Sequence, residues 1–159
     1  MKIKLMASVI AVALGCGLAA QASAQANPNQ LVGNRKGAMA LQGKYLGPIL
    51  AMVQDRSPYD PAIILRNAEY LSVLAQLPWD DFQPATVGAA NTRAKEDIYK
   101  DAAKFKAGID TFQSEAQKLS TAAKAGDKVA VGVAARNVGK ACNSCHEAFA
   151  TFEFRLRVQ

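Results

Sequence analysis

The chain has 159 residues, 19 Lys and Arg against 13 Asp and Glu for a formal net charge of +6, and a single histidine. That length accommodates one domain with a sizeable core. Its cations are scattered rather than gathered into runs, which argues against nucleic-acid binding and leaves a mild positive balance able to steer it toward an acidic partner.

Residues 1–24 read as a secretory signal. Lys2 and Lys4 open the segment, an apolar run extends from Leu5 through Ala20, and Ala22-Ser23-Ala24 forms an A-x-A cleavage site that leaves Gln25 first in the mature chain. A membrane anchor is the competing reading. The run is short for a span of about 20 residues, contains Gly15 and Gly17, and lacks stop-transfer charges. Attachment of lipid at Cys16 fits poorly because the apolar run continues beyond it. The mature domain, residues 25–159, is therefore expected in the bacterial periplasm, without a membrane span.

Helical periodicity begins near Pro28 and continues to Val53. Leu31, Ala38, Met39, Leu46, Ile49, Met52 and Val53 recur at threes and fours, with Arg35 and Tyr45 on or beside the stripe. After a turn at Ser57-Pro58-Tyr59, Asp60-Pro61 has the N-cap and first-position signature of a second helix. Ile64, Ala68, Leu71, Leu74 and Ala75 form its buried face, and Pro78 stops it. Residues 78–93 form a connection longer than bundles usually carry, which marks it as a candidate functional loop. Trp79 and Phe82 stand at its start. Either they cap the bundle core or they line a cofactor pocket.

The third helix has a 4-3 seam of Ile98, Ala102, Phe105, Ile109, Phe112, Ala116 and Leu119. Gly126-Asp127 supplies a stop and the next N-cap. Val131, Ala135, Val138, Cys142, Cys145, Phe149 and Phe152 then fall on one side of a fourth helix. No segment shows strand alternation. The expected fold is all-α, an antiparallel up-down-up-down four-helix bundle.

The fourth helix contains Cys142-Asn143-Ser144-Cys145-His146, the C-x-x-C-H pattern of covalent haem c attachment. Two thiols add across the porphyrin vinyl groups, and the adjoining imidazole reaches the iron. Spacings of i, i+3 and i+4 put all three side chains on one helix face. A zinc site wants four nitrogen or sulfur ligands, which the mature chain does not assemble. A thioredoxin-like pair needs a βαβ setting, and a plain disulfide leaves His146 unexplained.

The opposite side of the iron is then set by register. If the fourth helix runs on through the tail, His146 lies about 8 to 12 residues from its end, or about 12–18 Å. The matching depth on the antiparallel first helix is Met39, whereas Met52 lies about 20 Å farther along. The Met39 sulfur either bonds the iron, giving a six-coordinate carrier, or packs over an open position reachable by NO or CO. Arg35, one turn earlier, is placed to pair with a haem propionate.

These residues resemble cytochrome c′, a class II c-type cytochrome. Arg35-x-x-x-Met39 is similar to the family's Arg-x-x-x-(Leu/Met) stretch, and Ser57-Pro58-Tyr59-Asp60 to its turn into the second helix. Leu77-Pro78-Trp79-Asp80-Asp81-Phe82 resembles its Leu-Pro-Trp-x-x-Phe segment, and residues 140–149 its terminal haem-binding helix. The resemblance implies one haem c on Cys142 and Cys145, proximal ligation by His146, and Met39 on the distal side. It places Trp79 and Phe82 near the distal pocket and Arg35 near a propionate. It also implies a homodimer through the first two helices, and roles in electron transfer to a periplasmic redox partner and in NO binding. Ala150 departs from the family, which usually has an arginine there. Five-coordinate iron is favoured because Leu-Pro-Trp-x-x-Phe belongs to the high-spin branch. An enzyme such as a peroxidase ranks last, since His146 leaves no second histidine to move protons.

Overall fold

The computed structural model describes residues 27–151. The secretory segment, the tail aromatics Phe152 and Phe154, and the first two residues of the expected mature chain lie outside that range. The described residues form four long helices, α1 (Pro28–Val53), α2 (Pro61–Leu74), α4 (Ala102–Ala125) and α5 (Lys128–Phe149), plus a one-turn helix α3 (Asp97–Lys100). Helix α1 packs on α2 and α5, and α4 packs on α2 and α5, closing an antiparallel bundle. Two 3-10 turns, Trp79–Asp81 and Pro84–Thr86, punctuate the connection between α2 and α3. Among the described residues no helix is long and apolar enough to cross a membrane.

Each long helix starts on a side-chain cap. Asn27 accepts from the Asn29 amide at 2.9 Å, Asp60 from Ala62 and Ile63 at 2.9 and 3.1 Å, and Asp127 from Ala130 at 2.9 Å. Pro28 and Pro61 occupy the first helical position, where a missing N–H costs nothing. Gly126 ends α4 with a φ of +69°, a left-handed conformation that favours glycine.

The third helix is divided, unlike the continuous seam its periodicity predicts. Asp101 leaves the helical region at φ −124° and ψ 57°, and its carboxylate caps the Lys104 amide at 3.2 Å. The cap interrupts the helix, so Ile98 stays buried on α3 while Ala102 is exposed. Helix α2 is also shorter than its pattern, ending at Leu74 before Ala75 and Pro78.

That shortness positions the site. Helix α2 has 14 residues, against 26, 24 and 22 for α1, α4 and α5. The deficit of at least eight residues amounts to roughly 12 Å of helix. The dense core, with Leu46, Ile49, Ile64, Leu71, Leu119 and Val138 almost wholly buried, fills the end where all four helices are present. At the other end only three long helices remain, and the connection after α2 must close the fourth side.

Candidate functional site

At the three-helix end lies a cavity of about 460 Å³, walled by α1, α5, the first turns of α4 and the connection. This volume suits a ligand pocket, about 300–1,000 Å³ in typical cases. Arg35 and Met39 enter from α1, Phe82 from the connection, Phe105 from α4, and Cys145 and His146 from α5. A narrower recess of about 60 Å³ adjoins it, lined by Met39, Gln42, Trp79, Cys142, Cys145 and His146 among others. All seven residues expected at a site therefore border one continuous region. Met52 is buried in the core at the opposite end.

The register that brings Met39 opposite His146 arises differently from its sequence derivation. Helix α5 ends at Phe149, only one turn after His146, instead of running on through the tail. Ala150 is extended and forms an antiparallel bridge with Ala94. The Lys95 amide donates to Phe149 O at 2.9 Å, the Thr151 amide to Arg93 O at 2.8 Å, and Lys95 Nζ to Glu147 O and Ala148 O. The Lys95 ammonium and the Lys95 peptide N–H thus meet the last carbonyls of α5, and the Thr151 N–H beyond the helix donates back to the connection. Helix α1 overhangs this end, and its first turns pack on the connection: Arg35 reaches Thr92 and Phe82. Met39 is level with His146 because α1 protrudes, not because α5 is long.

The wall on α5 is chemically distinctive. Cys142 and Cys145 are free thiols, so no disulfide joins them. Burial, with Cys145 adding to it, pushes the Cys142 thiol up to about 12, and burial raises Cys145 as well. Burial thus favours the protonated thiol at both positions. Burial lowers the His146 pKa, favouring the neutral imidazole that a metal ion requires.

Arg35 is the buried cation of the cavity, which Lys36 and Arg93 also border. It is 5% exposed, its Nη2 donates to Thr92 Oγ1 at 3.3 Å, and its guanidinium carbon lies 4.6 Å from the Phe82 ring centroid. Burial lowers its pKa, with Tyr99 and Asp81 offsetting part of that effect. Its Nη1 is buried and has no hydrogen-bond partner. A spare buried guanidinium donor is costly unless an anion meets it.

Trp79 serves both purposes left open by its sequence position. Its Nε1 donates to Ala75 O at 2.8 Å, and its ring packs against the core and lines the cavity. It lies 6.0 Å from Phe82 in a stacked pair and contacts Phe105 and Phe112 edge-on at 6.4 and 6.2 Å. Phe105 meets Phe149 at 5.3 Å, completing an aromatic wall. Two thiols, an imidazole, a thioether, aromatic walls and a cation with a spare donor fit a flat apolar macrocycle carrying anionic substituents.

Two contributors lie outside the residues to which apolar periodicity points. Gln42 continues the α1 stripe of Arg35 and Met39, and a buried polar residue there was a usable signal. Lys95 acts through the end of a helix distant in sequence, for which local pattern offers no sign. Ala150 borders the cavity where its backbone bridges Ala94.

A family model described as Cytochrome C′ matches residues 30–150. The chain belongs to the cytochrome c′ family. It is 39% identical over 124 residues to a cytochrome c′ of Alcaligenes xylosoxydans xylosoxydans, covering 78% of this chain and 95% of that one. The crystal structure of cytochrome c′ from Rubrivivax gelatinosus superposes with a TM-score of 0.76 at 34% identity, covering 79% of this chain and 98% of that one. A nitric oxide complex of a mutant cytochrome c prime from Alcaligenes xylosoxidans has a TM-score of 0.74 at 37% identity, with coverages of 80% and 98%. The chain is thus a monohaem class II cytochrome, and its cofactor is covalently attached haem c.

Proposed function

We propose that this cytochrome c′ is a periplasmic electron carrier, not an enzyme, with five-coordinate iron open to NO or CO. The single observation carrying the haem-protein reading is that His146 and Met39 border one cavity from the packed helices α5 and α1; the five-coordinate form is favoured by the resemblance of Leu77-Pro78-Trp79-x-x-Phe82 to the high-spin branch. Haem supplies a reversible one-electron couple and an axial position for a diatomic gas. In this reading Cys142 and Cys145 hold it covalently, His146 ligates it, and Arg35 Nη1 pairs with a propionate. Met39, Trp79 and Phe82 form apolar walls that exclude water. No second histidine stands ready for the proton transfers of peroxide cleavage. The nitric oxide complex of a relative supports gas binding, and the secretory pattern of residues 1–24 supports export.

The competing form has Met39 sulfur as sixth ligand, and its place on the cavity wall opposite His146 favours that reading too. Optical and electron-spin spectra of the ferric protein separate them. We expect a high-spin spectrum that Met39→Leu leaves unchanged. A low-spin spectrum that turns high-spin in this variant would establish the six-coordinate carrier instead.

A homodimer through α1 and α2 has physical support. Leu41, Tyr70, Val73 and Leu77 on these helices and just beyond are 41%, 48%, 68% and 51% exposed. Large apolar side chains gathered on two adjacent helices are a surface that a second copy can cover.

A further inference from the structure

Gln42 is 6% exposed and lines the recess beside Met39 and Trp79. It lies three residues after Met39, on the same face of α1. A polar amide on a buried stripe is costly unless its donors are satisfied. Here Nε2 donates to Leu74 O at 2.9 Å and to Leu77 O at 2.8 Å. Both N–H groups of the amide are thereby engaged.

The two acceptors have a specific place in the fold. Leu74 is the last residue of α2, and Leu77 precedes Pro78 and Trp79. One side chain of α1 thus ties down both the end of the short helix and the peptide leading into the aromatic wall. Trp79 is anchored in turn to Ala75 O, which also accepts from Gln113 Nε2 of α4 at 3.3 Å. Three elements converge on the segment that carries the indole, and the Gln42 bonds lie nearest the Met39 side.

We propose that Gln42 is a positioning residue of the distal pocket, holding the Leu77–Trp79 segment closed against Met39 and so restricting entry of a diatomic ligand. The inference rests on the gas-binding reading above and adds the residue that sets access. A purely structural cap would stabilise the bundle equally well without governing the recess. Asn67 provides the comparison. It is 2% exposed, joins α2 to α1 through a 3.4 Å bond from Nδ2 to Tyr45 O, and does not border the recess.

The test uses the holoprotein, with Gln42→Met, which keeps side-chain length but removes both donors, beside Asn67→Leu. Carbon monoxide association with the ferrous protein is followed by flash photolysis. The fluorescence lifetime of Trp79, the chain's single tryptophan, reports the segment's position. Loss of two hydrogen bonds that hold the segment closed predicts association faster by about 5-fold to at most about 150-fold in Gln42→Met, with a longer Trp79 lifetime as the indole moves from the haem. Asn67→Leu is expected to leave both unchanged. Wild-type values of rate and lifetime in Gln42→Met, or equal changes in Asn67→Leu, would overturn the proposal. Should Gln42→Met not fold, Gln42→Asn, too short to hold both carbonyls, carries the same comparison with wild-type values again decisive against it. If the wild type held no haem, the functional reading would fall, and acrylamide quenching of Trp79 in Gln42→Met against wild type would still decide the role of Gln42.

Discussion

Arg35 shows how, in the proposed reading, one side chain links the fold to its cofactor. Its charge is buried between Phe82 and Thr92 with Nη1 left over. An apoprotein with that arrangement carries an uncompensated donor, whereas a propionate in the cavity satisfies it. Arg35→Leu is accordingly expected to leave apoprotein stability within about 1 kcal/mol of wild type, or to raise it. In the holoprotein the same change removes a charge-assisted hydrogen bond and costs about 1.5–3 kcal/mol. Paired denaturant melts of the two forms check this, and an equal loss in both would assign Arg35 to the scaffold alone. That Cys142, Cys145 and His146 share one wall was legible in sequence because their spacing is local and one helix suffices to bring them together. Arg35 and Met39 were legible through the period of α1. Gln42 was legible only as a polar residue on that stripe; its partners are the backbone carbonyls of Leu74 at the end of α2 and Leu77 in the connection, which no side-chain pattern records.

Among the elements, the capping signals at Asp60, Gly126 and Asp127 predicted helix starts and stops correctly because caps are local hydrogen bonds. The same chemistry at Asp101 was missed within a strong apolar seam, and there the cap prevailed over the periodicity. The end of α5 was misjudged for the opposite reason. Phe152 continues the apolar spacing, but bonds that Lys95 donates to the last carbonyls and that Arg93 O accepts from Thr151, more than fifty residues apart in sequence, end the helix at Phe149. This clasp fastens the connection over the cavity. Lys95→Met removes a cation from the last carbonyls of α5 and is expected to cost about 0.3–1 kcal/mol. Amide exchange at Lys95 and Thr151 should accelerate more than exchange in the α1–α2 core. Unchanged protection at both amides would mean that the backbone bridge alone holds the connection.

At the scale of the molecule, an all-α bundle followed from amphipathic periods alone, but the cavity did not. It exists because α2 stops short, and a length difference between helices becomes an empty volume only once all four are packed. The same architecture leaves an apolar outer face on α1 and α2. Val73→Glu places a charge at the most exposed residue of that face, and under the proposed homodimer sedimentation at micromolar concentration is expected to show a dimer for the wild type and a monomer for the variant. A wild type already monomeric at that concentration would contradict the dimer. The central claim is that one haem is held covalently by two sulfurs of α5. Intact-mass measurement of the chain matured in a host competent for c-type haem attachment tests it most directly. The account predicts a mass of one chain plus one haem that resists acid–organic extraction, and a haem that becomes extractable when both Cys142→Ala and Cys145→Ala are present. Apoprotein mass in the wild type, or a haem retained after both substitutions, would contradict it.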